Sequence, residues 1–187
     1  MQCKAVTLFT RLQYYPVWCA LLIVCCLIFS AKATSAEQVA LSKENKIKAA
    51  YLLNFTKYIH WPAAQSLVST PLHLCLASTV VFYDFMADII ARYNASGLNR
   101  HIQLEHVINA ENCELTYLQH KVNPTLRQLR HSLLVLDSEA VGQPHNAITF
   151  YISHRKIRFS INIDVLDALN IRVSSELLKL ARIKHNL

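Results

Sequence analysis

Glycine is scarce in this chain: of 187 residues, only Gly97 and Gly142 are glycine. The phosphate-binding loops of dinucleotide-binding and nucleoside-triphosphate-binding proteins need at least two closely spaced glycines, and so does the nucleophile elbow of α/β-hydrolases. Because Gly97 and Gly142 lie far apart in the sequence, all three motifs are absent. The sequence therefore excludes nucleotide-binding loops of those types and that kind of nucleophilic site.

Recognised metal-binding and redox motifs are also missing. The chain has nine histidines, yet no two of them are three or four residues apart, and neither H-E-x-x-H nor C-x-x-C occurs. Metal sites and dithiol redox sites are normally recognised by such spacings. We therefore predict no metal and no cofactor, and we interpret the histidines as surface or capping residues.

The first 36 residues have the pattern of a secretory signal peptide. Lys4 and Arg11 precede an uninterrupted apolar run from Val17 to Phe29, and small residues follow it over 31–36. A basic start, a short apolar run and an A-x-A-like site are typical of a cleaved signal peptide, and the run is too short to span a bilayer as a helix. We predict that residues 1–36 are a signal peptide, with an uncleaved N-terminal anchor as the alternative.

Removal of this segment lowers the net charge. It takes away three of the 19 basic residues and none of the 12 acidic ones, so the formal charge falls from +7 to +4. A mildly basic domain without a concentrated basic stretch gives no electrostatic signature of nucleic-acid binding. We predict no nucleic-acid partner.

Two of the six cysteines, Cys75 and Cys113, remain after the signal peptide is removed. An even number of cysteines in an exported domain predicts a disulfide. The competing interpretation is a catalytic thiol, which would need an activating partner that the sequence does not suggest.

Residues 37–187 are predicted to form one domain, because no repeat, low-complexity tract or linker follows the signal peptide. Helical spacing of apolar residues predicts two helices. The predicted buried face of the first helix consists of Ile47, Ala50, Tyr51, Phe55, Tyr58 and Ile59. That of the second helix consists of Phe82, Phe85, Met86, Ile89, Ile90 and Tyr93. A short third helix is predicted to begin at Asn123-Pro124. Apolar runs predict strands near Leu72–Leu76, Ile102–Val107, Cys113–Tyr117 and Leu133–Leu136.

This alternation of strands and helices predicts an α/β fold, with a mostly parallel sheet flanked by helices. The last third of the chain differs. Ile148–Ile152 and Ile157–Ile161 alternate apolar and polar residues around a polar tip, which predicts an antiparallel hairpin near the C-terminus. A final helix is predicted to begin at Ser174, with Leu177, Leu180 and Ala181 inward and with Arg182, Lys184 and His185 in its last turn.

Two groups of polar residues are candidate sites. Ser78 and Asp137 follow predicted strands, and in open α/β sheets ligands bind at the carboxyl ends of strands. They are the candidate small-ligand site, although a plain polar turn is the preferred interpretation of Asp137. Arg155, Lys156, Arg158 and Ser160 belong to the hairpin and are the candidate partner-binding residues, with solubility as the equally weighted interpretation of the basic tip.

Carboxylates elsewhere give no acid–base site. Asp84 and Asp88 share a helix face, but Arg92 continues the same row and the apolar stripe lies on the opposite side. We interpret this row as a solvated face with an Asp88–Arg92 ion pair.

Two segments together resemble the YfiR family of periplasmic regulators. The first, residues 47–62, has Lys48-Ala49-Ala50-Tyr51, Asn54-Phe55 and Trp61-Pro62 and resembles the family's opening pattern K-A-A-[FY]-x-x-N-F…W-P. The second runs from Ile157 to Ala181, where residues 159–162 resemble the family's F-x-I-N strand and residues 171–181 resemble its closing I-S-S-x-L-L-x-L-A helix. The spacing of Cys75 and Cys113 is also similar to that of the family.

The resemblance implies a non-enzymatic protein of the periplasm. Such a protein would bind the periplasmic sensor portion of an inner-membrane diguanylate cyclase and repress it, which lowers cyclic di-GMP and disfavours biofilm. The resemblance also implies a possible homodimer and a disulfide that supports folding. Two further functions stay open, namely a periplasmic small-ligand binding module that uses Ser78 and Asp137, and, as the least favoured, a secreted hydrolase.

Overall fold

Strands that are buried along most of their length lie in the interior of a seven-stranded sheet, away from its two edges. The computed structural model describes residues 40–62, 70–97, 100–108, 112–120, 132–138 and 146–185. The predicted signal peptide (1–36) and the predicted helix beginning at Asn123 lie outside the described residues. The described residues, from 40 to 185, form one compact unit.

Four helices and nine strands are found within the described ranges. In chain order they are α1 (Lys43–Tyr58), β1 (Ile59–His60), β2 (Leu72–Ala77), α2 (Val80–Ala95), β3 (Ile102–His106), β4 (Leu115–Leu118), β5 (Leu133–Leu136), β6 (Ile148–Ser153), β7 (Lys156–Asn162), α3 (Ile163–Ala168), β8 (Arg172–Val173), α4 (Ser175–Leu178) and β9 (Arg182–Lys184).

The large sheet has the strand order β3-β2-β4-β5-β6-β7-β9. Its first five strands run parallel to one another, β7 is antiparallel to β6, and β9 is parallel to β7. Strands β4 and β5 are buried at every residue, as expected for parallel strands covered on both faces. The predicted α/β fold with a mostly parallel sheet and an antiparallel hairpin is confirmed.

One face of the sheet carries the larger core, against which α1 and α2 pack. The ring centroid of Phe55 in α1 lies 5.9 Å from that of Phe150 and 5.2 Å from that of Phe159, which join the helix to the hairpin. Phe82 in α2 lies 5.3 Å from Tyr117 in β4. Aromatic contacts in this range add to the stability gained by burying the rings.

The opposite face carries a smaller core built around the disulfide. Cys75 in β2 is bonded to Cys113, with 5.8 Å between their Cα atoms. Both are buried in a cluster with Leu118, Leu134 and Leu136. The disulfide thus links the segment that precedes β4 to β2, which is the strand next to β4 in the sheet.

The predicted buried face of α1 is partly wrong. The helix buries Lys48, Ala49, Leu52 and Phe55, whereas three residues of the predicted face are exposed, namely Ile47, Ala50 and Tyr58. The buried face is rotated toward Lys48, because the ammonium of this residue forms an ion pair with the buried carboxylate of Asp137. Hydrophobic periodicity alone does not anticipate a buried lysine.

The predicted final helix is also wrong beyond its first turn. Helix α4 ends at Leu178, and Arg182–Lys184 form strand β9 instead of a last helical turn. Leu177 is buried as predicted, but Leu180 is 56% exposed. The physical reason is tertiary: β9 hydrogen-bonds to β7, and this pairing outweighs local helix propensity.

Three turns in the described ranges place residues at positive φ, and one of them is the turn at Asn170 (φ 54°) between α3 and β8. Gly97 ends the turn after α2 with φ of 64°, where a residue without a Cβ is favoured. His154 (φ 50°) and Arg155 (φ 59°) form the two-residue tip of the β6–β7 hairpin. Positive φ at both central positions suits the twist of a tight hairpin, although Asn, Asp and Gly are the usual residues there.

We expect the disulfide to stabilise the fold strongly. Cys75→Ala or Cys113→Ala should lower the free energy of unfolding in urea by about 2–5 kcal/mol, because the unfolded chain loses a cross-link that closes a long loop. The double variant should be at least as stable as the less stable of the two single variants, because the same one disulfide is lost in all three.

Thiol titration provides the control. The processed native protein should show no reactive thiol until it is reduced under denaturing conditions. Two reactive thiols in the untreated native protein would contradict the assignment.

Candidate functional site

A basic groove lies on the outer face of the hairpin. Pairing of β6 with β7 sets Tyr151 opposite Arg158 and Ser153 opposite Lys156, so these four side chains share one face of the sheet. The guanidinium carbon of Arg182, in β9, lies 4.6 Å from the ring centroid of Tyr151 and forms one wall. We call the surface formed by Lys156, Arg158, Arg182 and Tyr151 the basic groove.

The positive charges of the basic groove and of the adjacent tip residue Arg155 have no ion-pair partner within the described ranges. Arg155, Lys156 and Arg158 are exposed, and no described carboxylate lies within ion-pair distance of any of them. Arg182 contacts Tyr151 by a cation–π interaction, which leaves its guanidinium N–H groups available to an acceptor. The groove is therefore suited to a negatively charged partner.

Ser160 does not belong to this exposed surface. It is 2% exposed, and its hydroxyl donates to the carbonyl oxygen of Thr149 at 3.5 Å. Ser160 lies on the same face of β7 as Lys156 and Arg158, but from Ser160 onward β7 is flanked by β9 as well as by β6. We therefore remove Ser160 from the candidate partner-binding residues and keep Arg155, Lys156 and Arg158.

Ser78 and Asp137 do follow strands that end at the same edge of the sheet. Strand β4 lies between β2 and β5, so the two residues are about two strand spacings, roughly 10 Å, apart. The Ser78 hydroxyl donates to the Thr79 carbonyl at 3.3 Å. The Asp137 carboxylate is buried and engaged by protein groups, which weighs against the small-ligand interpretation.

Asp137 is the centre of a buried polar network. Its Oδ2 accepts from the Lys48 ammonium at 2.6 Å and from the Tyr117 hydroxyl at 2.9 Å, while its Oδ1 accepts from the Ser138 backbone N–H at 2.7 Å and from the Ser138 hydroxyl at 3.1 Å. The Lys48 and Asp137 side chains are only 10% and 4% exposed. The interpretation of Asp137 as a plain polar turn is wrong.

Sequence reasoning missed this ion pair, although two signals for it exist. Lys48 lies four residues before Leu52 and seven before Phe55, so it shares the apolar face of α1. Asp137 directly follows a strand that is apolar at every position. A lysine on an apolar face and a carboxylate at the end of a buried strand together suggest a buried pair.

The other predicted polar features can be located too. Arg92 donates to Asp88 at 2.6 Å, and both side chains are about two-thirds exposed, which confirms the solvated ion pair on α2. Within the described ranges, no three His, Cys, Asp or Glu side chains come together as metal ligands would. None of the helices in those ranges combines the length and the apolar content of a membrane span.

We expect the buried ion pair to be strongly coupled energetically. Lys48→Met or Asp137→Asn should each lower the free energy of unfolding by about 3–5 kcal/mol, because each leaves a buried polar partner without its ion pair. In urea denaturation, the double variant should be more stable than the sum of the two single effects predicts, by about 1–3 kcal/mol.

The exposed Asp88–Arg92 pair is the matched control. Arg92→Met and Asp88→Asn should each change stability by no more than about 0.5 kcal/mol. Additive effects of Lys48→Met and Asp137→Asn would contradict the assignment of Asp137 as the partner of Lys48.

Comparison with known proteins agrees with this architecture. A search of curated proteins found no match. The model of the YfiR/HmsC-like family matches residues 45–182, which run from the first turn of α1 to the start of β9. The opening and closing segments that carry the resemblance also meet in space, because Ile59 and His60 in β1 pair with Val173 and Arg172 in β8. The chain therefore belongs to the YfiR/HmsC-like family.

Proposed function

We propose that this protein is an exported regulator that works in the periplasm. It binds the periplasmic sensor portion of an inner-membrane diguanylate cyclase, holds the enzyme inactive and so lowers cyclic di-GMP. Membership of the YfiR/HmsC-like family is the observation that carries this proposal. The signal-peptide pattern over residues 1–36 and the Cys75–Cys113 disulfide support export to an oxidising compartment.

The proposed role is binding without catalysis. Repression of another protein requires a stable surface rather than a reactive group, and the disulfide and the buried Lys48–Asp137 pair both serve stability. Self-association into a homodimer stays a prediction of the family resemblance.

The basic groove and the adjacent tip residue Arg155 are the proposed docking surface. Exposed cations without carboxylate partners can pair with acidic groups of another protein, which mainly favours the association rate and specificity. The hairpin also carries His154 and Arg155 at two positive-φ positions, where such residues are energetically costly. Side chains at positive-φ positions reduce stability, so the presence of His154 and Arg155 at this tip favours a role in binding over a role in stability.

Deletion of the gene should raise cyclic di-GMP in the native host, because the cyclase loses its inhibitor. Expression of the wild-type chain should restore the low level. Lys156→Glu/Arg158→Glu should fail to restore it, since the charge of the docking surface is reversed. Cyclic di-GMP is measured by mass spectrometry of cell extracts.

The matched control is Lys43→Glu/Lys46→Glu, which changes the net charge equally at exposed positions of α1. This control should repress like the wild type, and both variants should match its melting temperature to within a few degrees. Unchanged cyclic di-GMP after deletion, in a host that carries a membrane cyclase with a periplasmic segment, would overturn the proposed function.

A further inference from the structure

Strand β9 forms one outer edge of the large sheet. It pairs with β7 on one side, and no described strand pairs with its other side. All three residues of β9 are exposed. An edge strand offers backbone N–H and C=O groups that can accept a further strand from another chain.

A buried apolar row of the sheet ends at this edge. The strand registers align Leu76, Tyr117, Val135, Ile148, Ile161 and Ile183 across six strands, and aligned neighbours project from the same face of a sheet. The first five are fully buried, whereas Ile183 is 43% exposed. Each of the four middle residues of this row has a row neighbour on both sides, whereas Ile183 has none on its outer side among the described residues.

The opposite face of the same strand is cationic. Because side chains alternate along a strand, Arg182 and Lys184 project from the face opposite Ile183. Arg182 faces the basic groove, where it lies over Tyr151. Lys184 has no ion pair among the described residues. The edge thus presents a cation, an apolar side chain and a second cation in succession.

We propose that β9 binds an extended segment of the regulated protein, which adds to the sheet as an eighth strand. The complementary segment has an acidic, an apolar and an acidic residue in succession, so that its carboxylates face Arg182 and Lys184 while its apolar side chain covers Ile183. Cross-strand pairs of opposite charge and pairs of apolar residues both stabilise a sheet. This inference rests on the proposed function and specifies the partner's docking element.

Charge argues against a second copy of this chain as the occupant. Two β9 strands side by side would bring like charges together across the sheet, which destabilises the pairing. The chain also contains no acidic–apolar–acidic triplet that could serve as the complementary strand. The edge is therefore matched to a different, acidic protein segment.

A synthetic peptide tests strand addition directly. The probe is fluorescein-labelled Glu-Val-Glu-Val-Glu-Val-Glu, titrated with the processed, disulfide-bonded protein and followed by fluorescence anisotropy. Two further peptides carry backbone N-methyl groups on either the glutamates or the valines. An added strand uses the N–H groups of only every second residue toward its neighbour, so one N-methyl set should weaken binding by about tenfold or more while the other binds like the parent.

Protein variants test the side-chain match. Arg182→Glu/Lys184→Glu should abolish binding of the parent peptide, whereas Lys43→Glu/Lys46→Glu should bind it like the wild type. Equal affinity of all three peptides would show that only side-chain charge is recognised and would overturn strand addition. Absence of binding to the parent peptide would also overturn strand addition by an acidic segment. In that case, dissociation of a dimer by Ile183→Lys in sedimentation would identify a second copy of the chain as the occupant of the edge. Binding to vesicles that contain phosphatidylglycerol would instead identify an anionic membrane.

The inference and the proposed function can fail separately. If deletion of the gene raises cyclic di-GMP and Arg182→Glu/Lys184→Glu still represses the cyclase, strand addition at β9 is wrong while the regulatory function stands. If deletion leaves cyclic di-GMP unchanged, the regulatory function is wrong whatever the peptide does.

Discussion

The position of helix α1 depends on one buried ion pair. Removing a lysine and an aspartate from water carries a desolvation penalty, which is offset only if the two charges meet with good geometry and if their remaining hydrogen bonds are satisfied. The 2.6 Å contact between Lys48 and Asp137, with the Tyr117 hydroxyl and Ser138 as further donors, meets both conditions. Helix α1 is thereby tied to the carboxyl ends of β4 and β5.

The aromatic core extends this constraint to the hairpin. With α1 fixed, Phe55 packs against Phe150 and Phe159 in the middle of β6 and β7. The basic groove lies on the opposite face of the same hairpin, and the tip projects Arg155 into solvent. The core and the proposed docking surface are thus the two faces of one hairpin, which lets the surface hold its charges in fixed positions without their contributing to the core.

Local sequence patterns predicted most of the framework. The apolar runs of β2 and β5, the stripe of α2 and the alternation of β6 and β7 correspond to observed elements, because each depends mainly on which residues must leave water. Patterns failed where a distant partner decides the outcome. The α1 face was misassigned because Lys48 finds Asp137 89 residues away, and the end of the predicted last helix became a strand because β7 lies beside it.

The features of the candidate site also divide into those that local sequence predicts and those that depend on the tertiary structure. The sequence by itself determined the signal-peptide pattern, the disulfide pair, the α/β class and the basic character of the hairpin, since these follow from composition and from short-range periodicity. Only the tertiary structure decided that Ser160 is buried, that Asp137 is neutralised by Lys48, and that Arg182 joins the groove on an open edge strand. Burial and strand pairing depend on which segments lie next to each other in space, and local sequence does not specify that.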